Sequence, residues 1–253
     1  MRVLVFGGTT EGRELAARMP GMAEGLEVTV SVATALGAEE LRGLDAVAVC
    51  VGRLDQPAMG ALLSGFDLCV DATHPYASEA TRTIAAACAQ TGVPLKRLLR
   101  AASFEGEACD DVTVVASCAE AAAFLAHTAG NVLLTTGSKE LAAFGSLIAA
   151  DPGRVYARVL PTHEGIATCE AVGLPHRNIV ALQGPFGRAL NEALFVQYAI
   201  AWTVTKDGGA PGGFDEKLAA ARACGVHTVV VRRPPDAGED LDAVLTWVRA
   251  QAQ

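Results

Sequence analysis

The chain has 253 residues, is 51% hydrophobic and has a mean hydropathy of +0.31, enough apolar material for two cores of ordinary size and the profile of a folded, enzyme-sized protein. Its 20 Lys and Arg against 28 Asp and Glu give a net charge of -8, which excludes general attraction to nucleic acid or to an anionic membrane. Any anionic ligand must be held by a local basic cluster.

Strands and helices alternate along the chain. Arg2 to Phe6 reads as a strand, Thr10 to Met19 as a helix, Glu27 to Val32 and Ala46 to Val51 as strands, Gln56 to Leu63 as a helix and Leu68 to Asp71 as a strand. An alanine-rich helix from Ser78 to Gln90 and a strand from Pro94 to Leu99 complete this half. The strand runs are β-branched and do not alternate with polar residues, as expected of a parallel sheet covered on both faces. Between Arg100 and Asp111 the pattern lapses, which reads as a hinge or crossover. Strand runs resume at Val112 to Val115, Val132 to Thr135, Val155 to Val159, Ile179 to Leu182, Trp202 to Thr205 and Thr228 to Val231. Helical runs lie at Ala119 to His127, Lys139 to Ala149, Thr162 to Val172, Leu190 to Ala199, Phe214 to Cys224 and Leu241 to Ala250. The expectation is an α/β protein of two Rossmann-like, doubly wound domains, 1–104 and 105–253.

The opening segment Met1 to Gly8 is too short in apolar residues for a signal peptide, and no later run reaches membrane-spanning length, so a cytoplasmic location is expected. Seven cysteines (Cys50, Cys69, Cys88, Cys109, Cys118, Cys169 and Cys224) are scattered without a C-x-x-C pair and read as small core residues.

Five glycine-rich or turn-rich loops fall at the carboxyl ends of strands, where open α/β sheets bind ligands. They are Gly7-Gly8-Thr9-Thr10-Glu11-Gly12, Asp71-Ala72-Thr73-His74-Pro75-Tyr76-Ala77, Thr135-Thr136-Gly137-Ser138-Lys139-Glu140, Gln183-Gly184-Pro185-Phe186-Gly187, and the stretch from Thr205 to Lys217 with Gly208, Gly209, Gly212 and Gly213. Glycine permits close backbone approach to a ligand, and helix starts offer unsatisfied N–H groups, so such loops are natural cradles for anions. The first is G-G-x-x-x-G, which differs from the dinucleotide fingerprint G-x-G-x-x-G.

Taken together and in this order, these loops resemble the precorrin-6A reductase family of cobalamin biosynthesis over nearly the whole chain. One departure is Gly187, where a serine is expected after Gln-Gly-Pro-Phe. The resemblance implies NADPH-dependent reduction of one double bond in a tetrapyrrole, with two Rossmann-like domains enclosing a cleft. The expected partner is therefore a polycarboxylate small molecule, with hand-over to a following pathway enzyme.

On that basis Gly7, Gly8, Thr9, Thr10, Glu11 and Gly12 are expected at the cofactor pyrophosphate. Ser31 and Thr34 stand where an acidic residue would otherwise bind an NAD ribose, which leans to NADP. The macrocycle's carboxylates call for several cations, and Arg13, Arg53, Lys139, Lys206 and Lys217 lie at or beside loop edges, with His74, Gly184, Gly208 and Gly209 as further substrate contacts. Hydride addition also needs a proton donor, for which His74, Tyr76, Lys206 and the substrate's own solvent shell remain open. No histidine or cysteine pair has ligand spacing, so no protein-bound metal is expected. A short-chain dehydrogenase would show Y-x-x-x-K, and none of Tyr76, Tyr156 and Tyr198 has a lysine four residues on. The alternative to an enzyme is a non-catalytic two-domain nucleotide- or tetrapyrrole-binding protein. Asp207 to Gly213, poor in apolar anchors, is expected to be a lid over the tetrapyrrole.

Overall fold

The computed structural model describes residues 1–99, 110–208 and 213–252, and the chain divides into two compact units, Met1–Ala101 with Pro234–Gln253, and Ala102–Arg233. In the first unit five parallel strands, β1 (Arg2–Phe6), β2 (Glu27–Val32), β3 (Val47–Val51), β4 (Leu68–Asp71) and β5 (Leu95–Arg97), form a sheet of order β3-β2-β1-β4-β5. Helices α1 (Thr10–Arg18), α2 (Ala35–Glu40), α3 (Gln56–Leu63) and α4 (Ser78–Thr91) connect them. Successive residues of a strand point to opposite faces, and β1 accordingly feeds two cores. Val3 and Val5 join Leu15, Met19, Val28 and Val30, while Leu4 and Phe6 join Leu63 and Ile84. The apolar run that reads as a buried strand is therefore a strand buried on both faces.

The second unit comprises β6 (Val112–Val115), α5 (Cys118–Leu125), β7 (Asn131–Leu134), a 3-10 helix Ser138–Phe144 leading into α6 (Gly145–Ala150), β8 (Val155–Val159), α7 (His163–Ala171), a 3-10 turn His176–Asn178, β9 (Ile179–Ala181), α8 (Arg188–Gln197), β10 (Ile200–Lys206), α9 (Phe214–Cys224) and β11 (His227–Val231). Its parallel sheet runs β6-β11-β10-β7-β8-β9. Leu125, Phe144 and Ile148 pack on Val132, Leu134 and Val155 in one cluster, and Phe195, Ala220 and Ala221 pack on Leu133 in another.

Helix α10 (Leu241–Gln251) corrects the expected domain limits. Val244, Leu245 and Val248 complete the core cluster of the first unit, so residues 234–253 return to it, where the sequence reading continued the second domain to the end. The returning segment lies alongside the chain after β5. Leu98 and Glu239 form a parallel bridge, with Leu99 N–H donating to the Glu239 carbonyl and Glu239 N–H to the Arg97 carbonyl, each at 2.9 Å.

Two smaller expectations also change. Cys69, Cys88, Cys118 and Cys169 are buried as the reading required, but Cys50 is exposed, because β3 is an edge strand whose Val49 and Val51 remain 40% and 55% exposed. Cys224 is half-buried, and Cys109 lies outside the described residues. Among the described residues no helix is long and apolar enough to cross a membrane.

Candidate functional site

Both sheets reverse direction once. In the first, the chain steps outward from β1 through β2 to β3 and then crosses to β4 and β5, so the reversal falls between β1 and β4. In the second, the chain steps across the sheet from β7 through β8 to β9 and then returns to β10 and steps the opposite way to β11, placing the reversal between β7 and β10. Such switch points open a crevice at the carboxyl ends of the strands, the usual ligand position in doubly wound folds. The loops flanking them are the ones singled out from sequence: Gly7 to Thr9 and Asp71 to Ala77 in the first unit, Thr135 to Lys139 and the stretch after Lys206 in the second.

In the first unit the two loops are joined. Thr9 caps α1, its hydroxyl oxygen accepting Gly12 N–H at 3.0 Å while the hydroxyl donates to the Ala72 carbonyl, also at 3.0 Å. Gly12 is needed for this closeness, since a Cβ there would lie 2.8 Å from the Ala72 Cβ. Gly8 is needed for a different reason: its φ of +144° is one that side-chain-bearing residues rarely adopt, and the space around it is open. A capped helix start, a glycine that leaves room and a switch point together fit a nucleotide pyrophosphate. Ser31 is buried and its carbonyl receives Gly7 N–H at 2.8 Å. Thr34 is exposed and caps α2 through Gly37 N–H at 3.1 Å. Arg13 and Arg53 are exposed.

The loop after β4 is braced by a buried ion pair. Asp71, 1% exposed, accepts the N–H and hydroxyl of Thr73 at 2.9 and 2.7 Å and an Arg97 Nη1 bond at 3.0 Å, all through Oδ1. Arg97 also holds Asp236 of the returning segment, Nε to Oδ2 at 3.0 Å. A buried charge needs such a partner. Beyond this brace His74 and Tyr76 lie half-buried with rings stacked at 5.6 Å, and His74 Nδ1 accepts Tyr76 N–H at 3.3 Å. That bond assigns the proton of a neutral His74 to Nε2.

In the second unit Lys206, at the end of β10, donates to Glu140 Oε1 at 2.6 Å across the switch point. Its charge is thus already paired, whereas Lys139 on the same 3-10 turn is exposed. Lys217 faces inward from the first turn of α9, 9% exposed, with Nζ donating to Thr205 Oγ1 at 2.8 Å. Burial first, and the Arg158 charge second, lower its pKa to about 7. Arg158 on β8 was not anticipated. It is 7% exposed, donates to Asn191 Oδ1 at 2.8 Å, and stands over the Phe186 ring at 4.3 Å. Gly184 is exposed, and the same ring gives it a packing role, since a Cβ there would lie 2.9 Å from the ring edge. Gly208 N–H closes a tight turn onto the Lys206 carbonyl at 2.8 Å. Gly209 and most of the expected lid lie outside the described residues.

Residues 2–249 match the family described as precorrin-6x reductase CbiJ/CobK. The chain is 36% identical over 235 residues to the cobalt-precorrin-6A reductase of Priestia megaterium, covering 92% of this chain and 90% of that one. It is 31% identical over 259 residues to the precorrin-6A reductase of Rhodococcus erythropolis, covering 98% and 97%. A solved structure described as CobK precorrin-6A reductase superposes with a TM-score of 0.77 at 28% identity, covering 100% of this chain and 97% of that one.

Proposed function

The chain belongs to the precorrin-6x reductase family, an oxidoreductase family of cobalamin biosynthesis, and from that premise we propose that it reduces one macrocycle double bond of precorrin-6A to give precorrin-6B, with NADPH as the hydride donor. The observation that carries the reading is the pairing of turn-rich loops with both switch points, above all the β1 and β4 loops tied by Thr9. We assign the nucleotide to the first unit and the tetrapyrrole to the second. Gly7, Gly8, Thr9, Thr10, Glu11 and Gly12 hold the pyrophosphate, and Ser31 and Thr34 lie on the side of the ribose 2′-phosphate. When bound, the nicotinamide supplies a hydride to one carbon of the macrocycle.

The chain's own task is to orient the macrocycle, exclude water and deliver a proton beside the new C–H bond. Arg13, Arg53, His74, Lys139, Gly184, Lys206, Gly208, Gly209 and Lys217 are the proposed substrate contacts. The proton comes from His74, Tyr76 or Lys206. His74 would donate as the imidazolium, which requires Nδ1 to release the Tyr76 N–H that it accepts here. Lys206 is suited by its place at the end of β10, where its Nζ is held by Glu140 Oε1 at 2.6 Å. The setting is a cytoplasmic one, with the reduced product passing to the next pathway enzyme.

Anaerobic incubation of the protein with precorrin-6A and NADPH, followed at the nicotinamide absorbance, should give one NADPH oxidised per macrocycle reduced. NADH should serve less well. Binding of precorrin-6A without any nucleotide oxidation would instead identify a non-catalytic tetrapyrrole-binding protein.

A further inference from the structure

We propose that the outer edge of β3 is a self-association surface, on which the β3 of a second copy of this chain pairs antiparallel about a two-fold axis at Val49. This goes beyond the reductase reading and does not depend on it. β3 is Val47-Ala48-Val49-Cys50-Val51, and its one sheet partner among the described residues is β2. Edge strands are ordinarily guarded against pairing by a lysine, a proline or a bulge, and this run holds none of them. It is also bare on both faces. Ala48 and Cys50 project from one side of the pleat and Val49 and Val51 from the other, and all four are exposed. The cause is local: α2, which precedes β3, is six residues long and buries none of its own side chains. The opposite edge of the same sheet is covered, since the chain after β5 is bridged to the returning segment at Leu98 and Glu239.

The backbone and the charges say what fits. Gly52 N–H donates to the Val32 carbonyl at 2.9 Å, and Val51 lies in register with Val32, so Ala48, Cys50 and Gly52 turn their peptide groups towards β2. Val47, Val49 and Val51 therefore turn theirs outward. An antiparallel partner centred on Val49 sets Val49 against Val49, and Val47 against Val51 of the second copy, which are the positions whose N–H and C=O groups point that way. The same residues serve both copies, as a two-fold interface requires. The flanks agree with this register. The end of β3 that bears Asp45 comes beside the end that bears Arg53 of the second copy, both exposed, opposite in charge and each four residues from Val49. The other charges near these ends are committed within the chain, Arg42 to Glu39 at 3.7 Å and Asp55 to the Ala58 N–H at the start of α3 at 2.9 Å. Exposed valines would face each other across the seam, and two five-stranded sheets would become one. A single strand pair is a small interface, so the association is of the weak, micromolar class.

The test is sedimentation velocity on the full chain over a range of about 1–500 μM. The wild type should pass from monomer to dimer with rising concentration; a wild type that stays monomeric throughout would overturn the proposal. Val49→Lys sets two like charges against each other at the axis without touching the bonds to β2, and should weaken dimerisation by at least about tenfold. A dimer indifferent to Val49→Lys would form elsewhere on the molecule and equally overturn the proposal. Asp45→Arg should weaken dimerisation by about twofold to fivefold, and adding Arg53→Asp should restore it; no response to either would refute the register. Cross-linking decides the question if Val49→Lys does not fold. Ala48→Cys puts a thiol directly opposite Cys50 of the second copy, at a Cα separation of about 4.5 Å, whereas Val51→Cys faces Val47. Oxidised glutathione should therefore yield a covalent dimer with Ala48→Cys and little with Val51→Cys. Equal yields from the two would mark random collision of exposed thiols and overturn the pairing.

Discussion

At the scale of single residues, the charges that matter most here are the buried ones. Lys217 titrates from about 7 in the folded chain, whereas an unfolded lysine keeps its proton to about 10.4, so between these values the unfolded state binds more protons. Ligand-free stability should then rise with pH from about 7 upward. In urea unfolding, the wild type should gain about 1–2 kcal/mol relative to Lys217→Met between pH of about 7 and 9, and parallel curves would refute the assignment. Lys217 was legible in the sequence because it closes a glycine-rich loop. Arg158 and Arg97 were not: Arg158 sits inside a short apolar run that reads simply as a strand, and Arg97 follows Lys96 at the end of another strand. The available signal was the mismatch itself: an arginine within such a run is buried and must be met by something. For Arg97 that something is Asp71, and for Arg158 the described residues offer only neutral partners.

At the scale of elements, the two glycines of the first loop do separate work and should fail separately. Gly12→Val pushes α1 away from the loop after β4 and should cost about 1–3 kcal/mol of stability through overpacking. Gly8→Ala meets no neighbour but strains the backbone, at about 1–3 kcal/mol, and puts a methyl where we propose that a phosphate approaches. Nucleotide titration should show the larger loss of affinity for Gly8→Ala at matched stability; a larger loss for Gly12→Val would move the phosphate towards the helix. Continuous β-branched runs made the strands easy to read. Helix α2 was missed because its six residues include a glycine and bury none of their side chains, so no apolar stripe announces it. Its one local sign was Thr34, which the reading took for a ribose contact and which caps the helix. The predicted helix from Lys139 to Ala149 begins as a 3-10 turn after Gly137, whose φ is +87°.

At the scale of the whole molecule, the count of strands and the order of loops were visible from sequence, but the ownership of the last twenty residues was not. An amphipathic helix shows that it needs a core without showing which one. Deleting residues 241–253 strips Val244, Leu245 and Val248 from the first unit's core and should lower its stability by several kcal/mol while sparing the second. Limited proteolysis of the truncated chain should degrade the first unit first; equal resistance in both would place α10 elsewhere. The parallel sheets and doubly wound order agree with the CobK structure, so the family resemblance and the physical reading meet in the same architecture.

The return of the chain beside β5 also dictates an order of events during synthesis. The second unit is one uninterrupted segment and can complete both faces of its sheet once residue 233 has emerged. The first unit, begun earlier, must wait as an unfinished layer until the final helix leaves the ribosome. What was inserted matures before its host. Leu99 and Glu239, hydrogen-bonded at the seam, mark where the inserted segment could be excised and the host rejoined by a short linker.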